Sequence, residues 1–367
     1  MNKSIIAWIF FLGIFGYTLY SAIRISTTFA PDFSIFYYSA KDLLLGISPY
    51  LDKSLFTIFN YPLASSALFI PFTIFPYRIA QTLFIFSNVI SVFFLVYFAL
   101  TLIKKHVSIS FFLVIVSLLF LSFPTKFTMG MGQTNVIAYL LLLAGFLMLQ
   151  KKKSVWTIIF LTISIFLKPV LGLSLVLLLF EKEWKLFLIT LGSILFFVIA
   201  VPFIFHQPLA NALFVQNVLG QSMTGREVYY NQGLLGFISR LIQDLQLRYV
   251  FNLFLTLLLI FLTFWRMRTT TITTQLSFIL TVLVIIDPLS WQHHFVFLFF
   301  PFLATFFAIQ KQKRKKALLY SLLALSYILV SVNIKNPLQI QDFPISLILS
   351  HQFYGVMLLY ILEFVVF

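Results

Sequence analysis

Runs of apolar residues long enough to enter a lipid bilayer recur along almost the whole of this sequence. Backbone N–H and C=O groups find no water inside hydrocarbon, so a segment there must satisfy them internally, as a helix does. A helix needs about 20 apolar residues to cross a core about 30 Å thick. The sequence therefore predicts an all-α, polytopic membrane protein with about twelve transmembrane helices. The runs assigned to these helices are residues 5–23, 80–102, 107–123, 134–149, 154–167, 170–180, 184–205, 249–265, 273–286, 291–309, 317–332 and 345–366.

The low share of charged residues supports the same fold class. Only 10% of the residues are charged and 61% are hydrophobic, with a mean hydropathy of +1.03, whereas a soluble chain has about 25% charged residues. Most of the surface must therefore contact lipid, and the 48 phenylalanines suit both lipid contact and packing between helices. Cysteine is absent, which excludes disulfides, thiolate metal ligands and cysteine nucleophiles.

The net charge of +15 fits membrane orientation better than nucleic-acid binding. Its basic residues cluster between apolar runs, and such clusters mark cytoplasmic loops under the positive-inside rule. No basic run belongs to a soluble face that could bind nucleic acid. We read the first run as a retained signal anchor, which predicts a multi-pass protein of the plasma membrane with a cytoplasmic N-terminus. The clusters lie at residues 104–105, 151–153, 182 and 185, 266–268, and 311–316.

The apolar segment 62–76 is too short to be a crossing. Its fifteen residues would reach only about 22 Å as a helix, and a crossing here would move every later basic cluster to the outer side. We expect a helix that lies in or dips into the outer leaflet. Two long outer segments, residues 24–61 and 206–248, should then carry function, within a single membrane-embedded domain, 1–367.

Residues 33–45 in the first outer segment should form an amphipathic helix that lies flat on the outer leaflet, because their apolar residues recur at helical spacing. Such a helix could be a passive anchor, and Asp32 just before it could be only its N-cap. A salt bridge to Lys126 or Arg226 is a further structural alternative for Asp32. A partly desolvated carboxylate at this surface could instead have a raised pKa and act as a general base.

Five groups of polar residues fall on the predicted outer side or at the outer end of a span, and this coincidence is the main functional signal. The five groups are Asp32-Phe33 with Tyr37-Tyr38, Gly46, Pro49-Tyr50 and Asp52; Asn60-Tyr61-Pro62; residues 130–135; Lys168-Pro169; and residues 287–294.

Lys168 interrupts an apolar run and precedes a helix-breaking proline. An ammonium in the membrane interior costs roughly 2.5 to 3.5 kcal/mol on insertion scales, so it needs a partner or an anion. It could snorkel from a short helical hairpin, or it could hold a phosphate beside the free backbone groups of the broken helix.

Three further polar groups have both structural and functional interpretations. Adjacent histidines on a helix point about 100° apart, so His293 and His294 do not easily share one metal. Asp287 and His294 could form a metal site or a structural pair at a helix end, and one histidine could instead bind a substrate hydroxyl or phosphate. Gln133 and Asn135 could cap a helix or bond between helices, or contact substrate.

The polar motifs, taken in order along nearly the whole chain, resemble those of glycosyltransferase family 87. They are Asp32-Phe33 with Tyr37-Tyr38, Gly46, Pro49-Tyr50, Tyr61-Pro62, Gly132-Gln133 with Asn135, Leu167-Lys168-Pro169, Asn231-Gln232-Gly233 with Arg240, and Ser290-Trp291 with His293-His294. The family includes polyprenyl-phosphate-mannose-dependent mannosyltransferases of the bacterial envelope.

The resemblance implies a GT-C membrane fold and an inverting glycosyltransferase. Such an enzyme would move a sugar, with mannose expected, from a polyprenyl-phosphate donor to a lipid or glycan acceptor at the outer membrane face. Asp32 would be the catalytic base, and no cofactor or metal is expected. The residues expected to bind donor phosphate or substrate are Lys168, Arg240, His293, His294, Tyr37, Tyr61, Gln133, Asn135, Asn231, Gln232 and Trp291.

Two other classes of protein are compatible with the composition. A transporter or flippase of lipid-linked sugars would usually carry paired repeats with matching broken helices, and the residues around Pro169 and Pro288 do not match. A non-catalytic assembly partner is the third interpretation. A substitution of Asp32 that abolishes turnover but not membrane insertion would distinguish an enzyme from both.

Overall fold

The computed structural model describes residues 3–52, 57, 59–220, 228–334 and 345–367. Within these residues the chain is almost entirely helical, and the one extended pairing is an isolated antiparallel bridge between Asn231 and Trp291. The α-helices are α1 Lys3–Thr27, α2 Pro31–Leu44, α3 Leu63–Ala67, α4 Tyr77–Leu102, α5 Ile109–Leu121, α6 Phe123–Met131, α7 Asn135–Gln150, α8 Ser154–Leu167, α9 Val176–Phe180, α10 Trp184–Ile204, α11 Ala210–Gly220, α12 Leu234–Leu241, α13 Leu245–Met267, α14 Ile272–Ile286, α15 Phe299–Ile309, α16 Lys316–Ser331, α17 Ile345–Ile348 and α18 His351–Val366. Three 3₁₀ helices cover Ile70–Ile74, Pro169–Leu175 and Gln292–Leu298.

The helices confirm an all-α, membrane-embedded protein. Among the described residues, five helices are long and apolar enough to cross a bilayer, and α5 with α6 would make a sixth span bent by 62°. Six shorter apolar helices account for the remaining apolar runs. The twelve-crossing topology and the cytoplasmic N-terminus stay predictions. The five long helices are Ser4–Thr27, Tyr77–Leu102, Trp184–Ile204, Leu245–Met267 and Gln292–Ile309.

The segment 62–76 does not form the single helix expected from its composition. It folds as two short helices, α3 and the 3₁₀ turn Ile70–Ile74, because a proline stands at the second position of the latter and starts a new helix. Each piece has five residues, which is far too short to cross a bilayer.

The helix predicted for residues 33–45 is present as α2, but it begins earlier than expected. Pro31 is its first residue and Ala30 its N-cap, since proline at the first helical position has no N–H that needs a partner. Asp32 is therefore inside the first turn, two residues after the N-cap position. The N-cap interpretation of Asp32 is wrong.

Buried polar side chains position α2 against the membrane helices. The Gln81 side chain on α4 accepts a hydrogen bond from the Ala30 N–H at 3.1 Å and donates to the carbonyls of Ile25 and Thr28 at 2.9 and 2.8 Å. Gln81 thus satisfies the backbone of the turn between α1 and α2. This turn sets where Asp32 stands.

Candidate active site

A cavity of about 770 Å³ opens between α2, α6 and the two 3₁₀ helices Pro169–Leu175 and Gln292–Leu298. Its size is within the range of small-molecule sites, roughly 300 to 1,000 Å³. Its walls are mostly apolar, with titratable groups in a few places. The lining residues are Asp32, Ile35, Phe36, Thr57, Asn60, Tyr61, Phe127, Met131, Gln133, Lys168, Pro169, Val170, Phe214, Tyr230, Asp287, Leu289, Trp291, His293 and His294.

Asp32 is the carboxylate that α2 presents to this cavity. Burial raises the pKa of Asp32, while a hydrogen bond from the Gln133 side chain and the positive charge of Lys168 partly oppose the rise. A carboxylate with a raised pKa is a better proton acceptor than an ordinary aspartate. The buried oxygen of the Gln133 amide has no partner among the described residues, so it can accept a hydrogen bond from a ligand hydroxyl.

The turn at Gly132 holds Gln133 beside Asp32. Gly132 ends α6 in the left-handed conformation, with φ of +68°, where a side chain is strained. A Cβ at this position would lie 2.7 Å from the Phe33 Cβ and 3.0 Å from the Ala30 Cβ. Glycine therefore permits the end of α6 to contact the start of α2 directly.

Lys168 stands at the break between α8 and the 3₁₀ helix Pro169–Leu175. Proline cannot donate a backbone hydrogen bond, so the last carbonyls of α8 need other partners. The Ser65 hydroxyl donates to the Phe166 carbonyl at 2.6 Å, and the Thr134 hydroxyl donates to the Leu167 carbonyl at 3.0 Å. The break is thus a fixed feature that holds Lys168 at the cavity wall.

The Lys168 ammonium is the centre of a hydrogen-bonded chain. Its Nζ lies 3.2 Å from the Tyr61 hydroxyl and 3.2 Å from Nε2 of His294. Nδ1 of His294 lies 2.9 Å from Oδ2 of Asp287. Because an ammonium only donates, Nε2 of His294 accepts from Lys168 and its Nδ1–H donates to the carboxylate.

This chain sets the charge of the site. Lys168 is 5% exposed, so it does not snorkel to the surface. Burial acts to raise the pKa of Asp287, but His294, the Leu289 N–H and Lys168 together hold that pKa below its usual value. Asp287 therefore stays ionised and orients His294. Since two N–H groups of Lys168 contact Tyr61 and His294, its third N–H can face an anion. The sequence interpretation of Asp287 and His294 as a pair is confirmed, and the structure adds Lys168 to it.

His293 lines the same cavity as His294. The Asn135 side-chain amide donates to the His293 carbonyl at 2.9 Å, which fixes the start of the 3₁₀ helix. The His293 ring packs on Phe127, with the ring centroids 5.6 Å apart. Its buried Nδ1 has no partner among the described residues, so this ring can serve a ligand.

The Asn231-Gln232-Gly233 motif supports the cavity from behind. The Asn231 side chain donates to the Pro288 carbonyl at 3.0 Å, and the Gln232 N–H donates to the Ser290 carbonyl at 2.8 Å. A Cβ on Gly233 would lie 2.7 Å from the Ser290 Cβ. Arg240 donates to the Asn231 carbonyl at 3.0 Å and to the Ser350 hydroxyl at 2.8 Å.

An aromatic wall that sequence reasoning missed completes the cavity. Tyr230 stacks on Trp291 with centroids 5.9 Å apart and on Phe127 at 6.2 Å. Trp291 was expected at the site, whereas Phe127 and Tyr230 give no signal among so many aromatic residues. Stacked rings of this kind offer a flat surface to the apolar face of a sugar or to an isoprenoid chain.

The structure brings seven of the twelve predicted site residues to one cavity and places five elsewhere. Tyr37 is buried and donates to the Phe75 carbonyl at 2.8 Å, so it packs α2 onto its neighbour rather than lining the cavity. The four others contact backbone or side chains behind the cavity wall, as described above. Lining the cavity are Asp32, Tyr61, Gln133, Lys168, Trp291, His293 and His294; outside its lining are Tyr37, Asn135, Asn231, Gln232 and Arg240.

The structure describes one of the two salt-bridge partners considered for Asp32, Lys126 and Arg226. Lys126 lies on the side of α6 that faces away from this cavity, and the described residues contain no ion pair between it and Asp32. Arg226 lies outside the described residues. Within the described part of the chain, no group of three or more histidine, aspartate or glutamate side chains is placed to hold a metal ion.

Comparison with known proteins identifies the family. The model of glycosyltransferase family 87 matches residues 59–301, which is more than half of the 367 residues. The chain belongs to glycosyltransferase family 87. No curated protein and no solved structure matches it.

A family 87 glycosyltransferase must bind a sugar donor and an acceptor, and the cavity has groups suited to both. The matched range contains Tyr61, Gln133, Lys168, Asp287 and both cavity histidines. Asp32 precedes this range, so its assignment depends on the geometry of the cavity and not on the family match.

Proposed function

We propose that this glycosyltransferase moves a sugar from a polyprenyl-phosphate donor to a hydroxyl of a lipid or glycan acceptor, at the outer face of the plasma membrane. One observation carries the proposal: Asp32, a base, and Lys168, a cation, line the same cavity in a membrane-embedded chain. By the resemblance of its motifs, we propose mannose as the sugar and an α-mannosyl product.

The donor phosphate would bind at Lys168. Lys168 has one N–H left after contacts to Tyr61 and His294, and the Tyr61 hydroxyl, which accepts from Lys168, still has its own proton to donate. His293 supplies a further ring nitrogen. Charge-assisted hydrogen bonds of this kind are about twice as strong as neutral ones, and here they would stabilise the departing phosphate.

The transfer itself would be a single displacement. The acceptor oxygen bonds to the anomeric carbon as the bond from that carbon to the phosphate oxygen breaks, and the bonding pair leaves with the polyprenyl phosphate. The acceptor proton passes to Asp32, which later releases it to water. Attack opposite the leaving group inverts the anomeric centre, so one carboxylate suffices and no covalent sugar–enzyme intermediate forms.

The displacement requires no metal ion, because the phosphate leaves as a stabilised anion beside the Lys168 ammonium. We therefore expect transfer to continue at an unchanged rate when EDTA is added to the assay. Loss of activity with EDTA, restored by a divalent cation, would contradict this part of the mechanism.

The experiment supplies membranes that contain the protein with labelled polyprenyl-phosphate-mannose and candidate lipid acceptors. Replacing Asp32 with Asn should lower the transfer rate by roughly 10²- to 10⁴-fold, the usual contribution of a general base. Asp42→Asn is the matched control, because Asp42 lies on the same helix and outside the cavity lining. We expect this variant to retain activity.

Two results would reject the proposal. One is the absence of sugar transfer by the wild-type protein with every polyprenyl-phosphate sugar tested. The other is equal activity of the two variants. Movement of intact donor across vesicle membranes, without transfer of its sugar, would instead support a transporter.

A further inference from the structure

A second, smaller cavity lies on the opposite side of α6 from the active-site cavity. Its volume is about 390 Å³, and α1 and the bend between α5 and α6 form its walls. Helix α6 separates the two cavities: Phe127 and Met131, four residues apart, face the first, whereas Lys126 and Met129 face the second. This spacing places the two pairs on different faces of the helix.

Positive charge and hydroxyl donors distinguish the second cavity. Arg24 and Lys126 line it, and no carboxylate is present among its lining residues. Thr18 and Thr28 donate their hydroxyl protons to the carbonyls of Ile14 and Ile25 at 2.9 and 3.1 Å, so the remaining donors are the two cations with the hydroxyls of Tyr17 and Ser21. The Lys126 ammonium is held 5.5 Å from the centre of the Tyr17 ring.

The position of these cations favours a ligand attached to lipid. Both are exposed and lie at the end of α1 and in α6, which is the outer side on the predicted topology. The positive-inside rule accounts for basic residues on the cytoplasmic side and leaves these two unexplained. The adjoining surface of α1 is apolar, with Tyr20 62% and Ile23 55% exposed, and can contact acyl or isoprenoid chains.

We infer that this cavity binds the phosphate group of a membrane lipid, at a site separate from the active-site cavity. Arg24 provides a planar set of donors that suits phosphate, and Lys126 provides a point charge. The lipid chain would run along the exposed face of α1. The inference does not require sugar transfer, so it can fail or succeed independently of the proposed function.

The test measures binding to the purified, delipidated protein in a neutral detergent. Three ligands are titrated separately: polyprenyl phosphate, phosphatidylglycerol and inorganic phosphate. The Arg24→Gln/Lys126→Gln variant should bind at least one of the two lipids roughly tenfold or more weakly, since each charged hydrogen bond is a large part of such an affinity. The titrations are repeated in a Lys168→Met background, which weakens any phosphate binding in the first cavity.

Two further variants control for charge and for folding. Lys41→Gln/Arg78→Gln removes the same charge from exposed residues that line neither cavity, and should change lipid affinity by no more than about twofold. Arg24→Lys/Lys126→Arg keeps both charges and should retain most of the binding.

Each outcome has a definite meaning. If the wild type binds polyprenyl phosphate more tightly than phosphatidylglycerol, the ligand is a substrate-type lipid. If it binds phosphatidylglycerol more tightly, the ligand is a phospholipid. The inference is overturned if the Gln variant binds both lipids as the wild type does, if the Lys41/Arg78 control loses as much affinity, or if inorganic phosphate binds as tightly as the lipids.

Discussion

Substitution of Gly132 by alanine tests how the end of α6 positions the proposed base. Gly132 has a φ of +68°, and its missing Cβ would lie 2.7 Å from the Phe33 Cβ. Gly46 is a natural control, because its φ is +72° and no atom lies within 4 Å of a Cβ built there. The two substitutions impose the same backbone strain, and only the first creates a steric overlap.

The structure sets the expected size of both effects. A non-glycine residue in the left-handed region costs roughly 1 to 2 kcal/mol, so Gly46→Ala should lower the free energy of unfolding by about that amount. Gly132→Ala adds an overpacking cost of typically 1 to 3 kcal/mol. Carbon atoms in contact stand about 3.5 Å apart, so α2 must move by about 0.8 Å relative to Gln133, and Asp32 moves with it.

A displacement of this size should be more visible in catalysis than in stability. A misplacement of about 1 Å costs on the order of 10²-fold in rate, so Gly132→Ala should lower the transfer rate by about tenfold to a hundredfold. Gly46→Ala should leave the rate nearly unchanged. The assays are denaturant unfolding of the purified protein and initial rates with labelled donor. Equal losses of stability and of rate in the two variants would refute the reasoning.

Two other predictions concern the charges in the cavity. Asp287→Asn removes the ionised partner of His294 and should lower kcat/KM roughly tenfold to a hundredfold, because a hydrogen bond to a charged group is lost. Most of this loss should be a higher KM for the donor. An effect confined to kcat, with KM unchanged, would contradict a role in phosphate binding. Gln133→Leu removes the hydrogen bond that lowers the pKa of Asp32, so that pKa should rise and the acidic limb of the pH–rate profile should move to higher pH. The sign follows because a base acts in its ionised form, which is lost as the pH falls through the pKa; an acidic limb that stays in place or moves down would show that Asp32 is not the titrating base.

Local patterns were sufficient to predict the fold class and to single out polar groups at the ends of the apolar runs. Apolar runs require helices wherever the chain contacts lipid, and a lysine or a histidine pair within such a run is too costly to be present without a partner. Lys168, His293 and His294 were identified in this way, Asp32 by its place just after the first span and by the family resemblance, and all four line one cavity.

Only the tertiary structure decided which polar residues meet. Lys168 lines the cavity. Arg240 and Asn231, which the family resemblance also implied at the site, bond instead to backbone behind the cavity wall. The pairing of residues 228–233 with the Asp287–Trp291 turn, which places them there, cannot be inferred from sequence spacing. The chain Asp287–His294–Lys168–Tyr61 joins residues from three distant segments. The sequence by itself determined that these charges lie in a membrane protein and need partners, since the free-energy cost of an unpaired charge depends on the surrounding solvent alone. Which partners they have depends on helix packing, which brings together residues more than 100 positions apart.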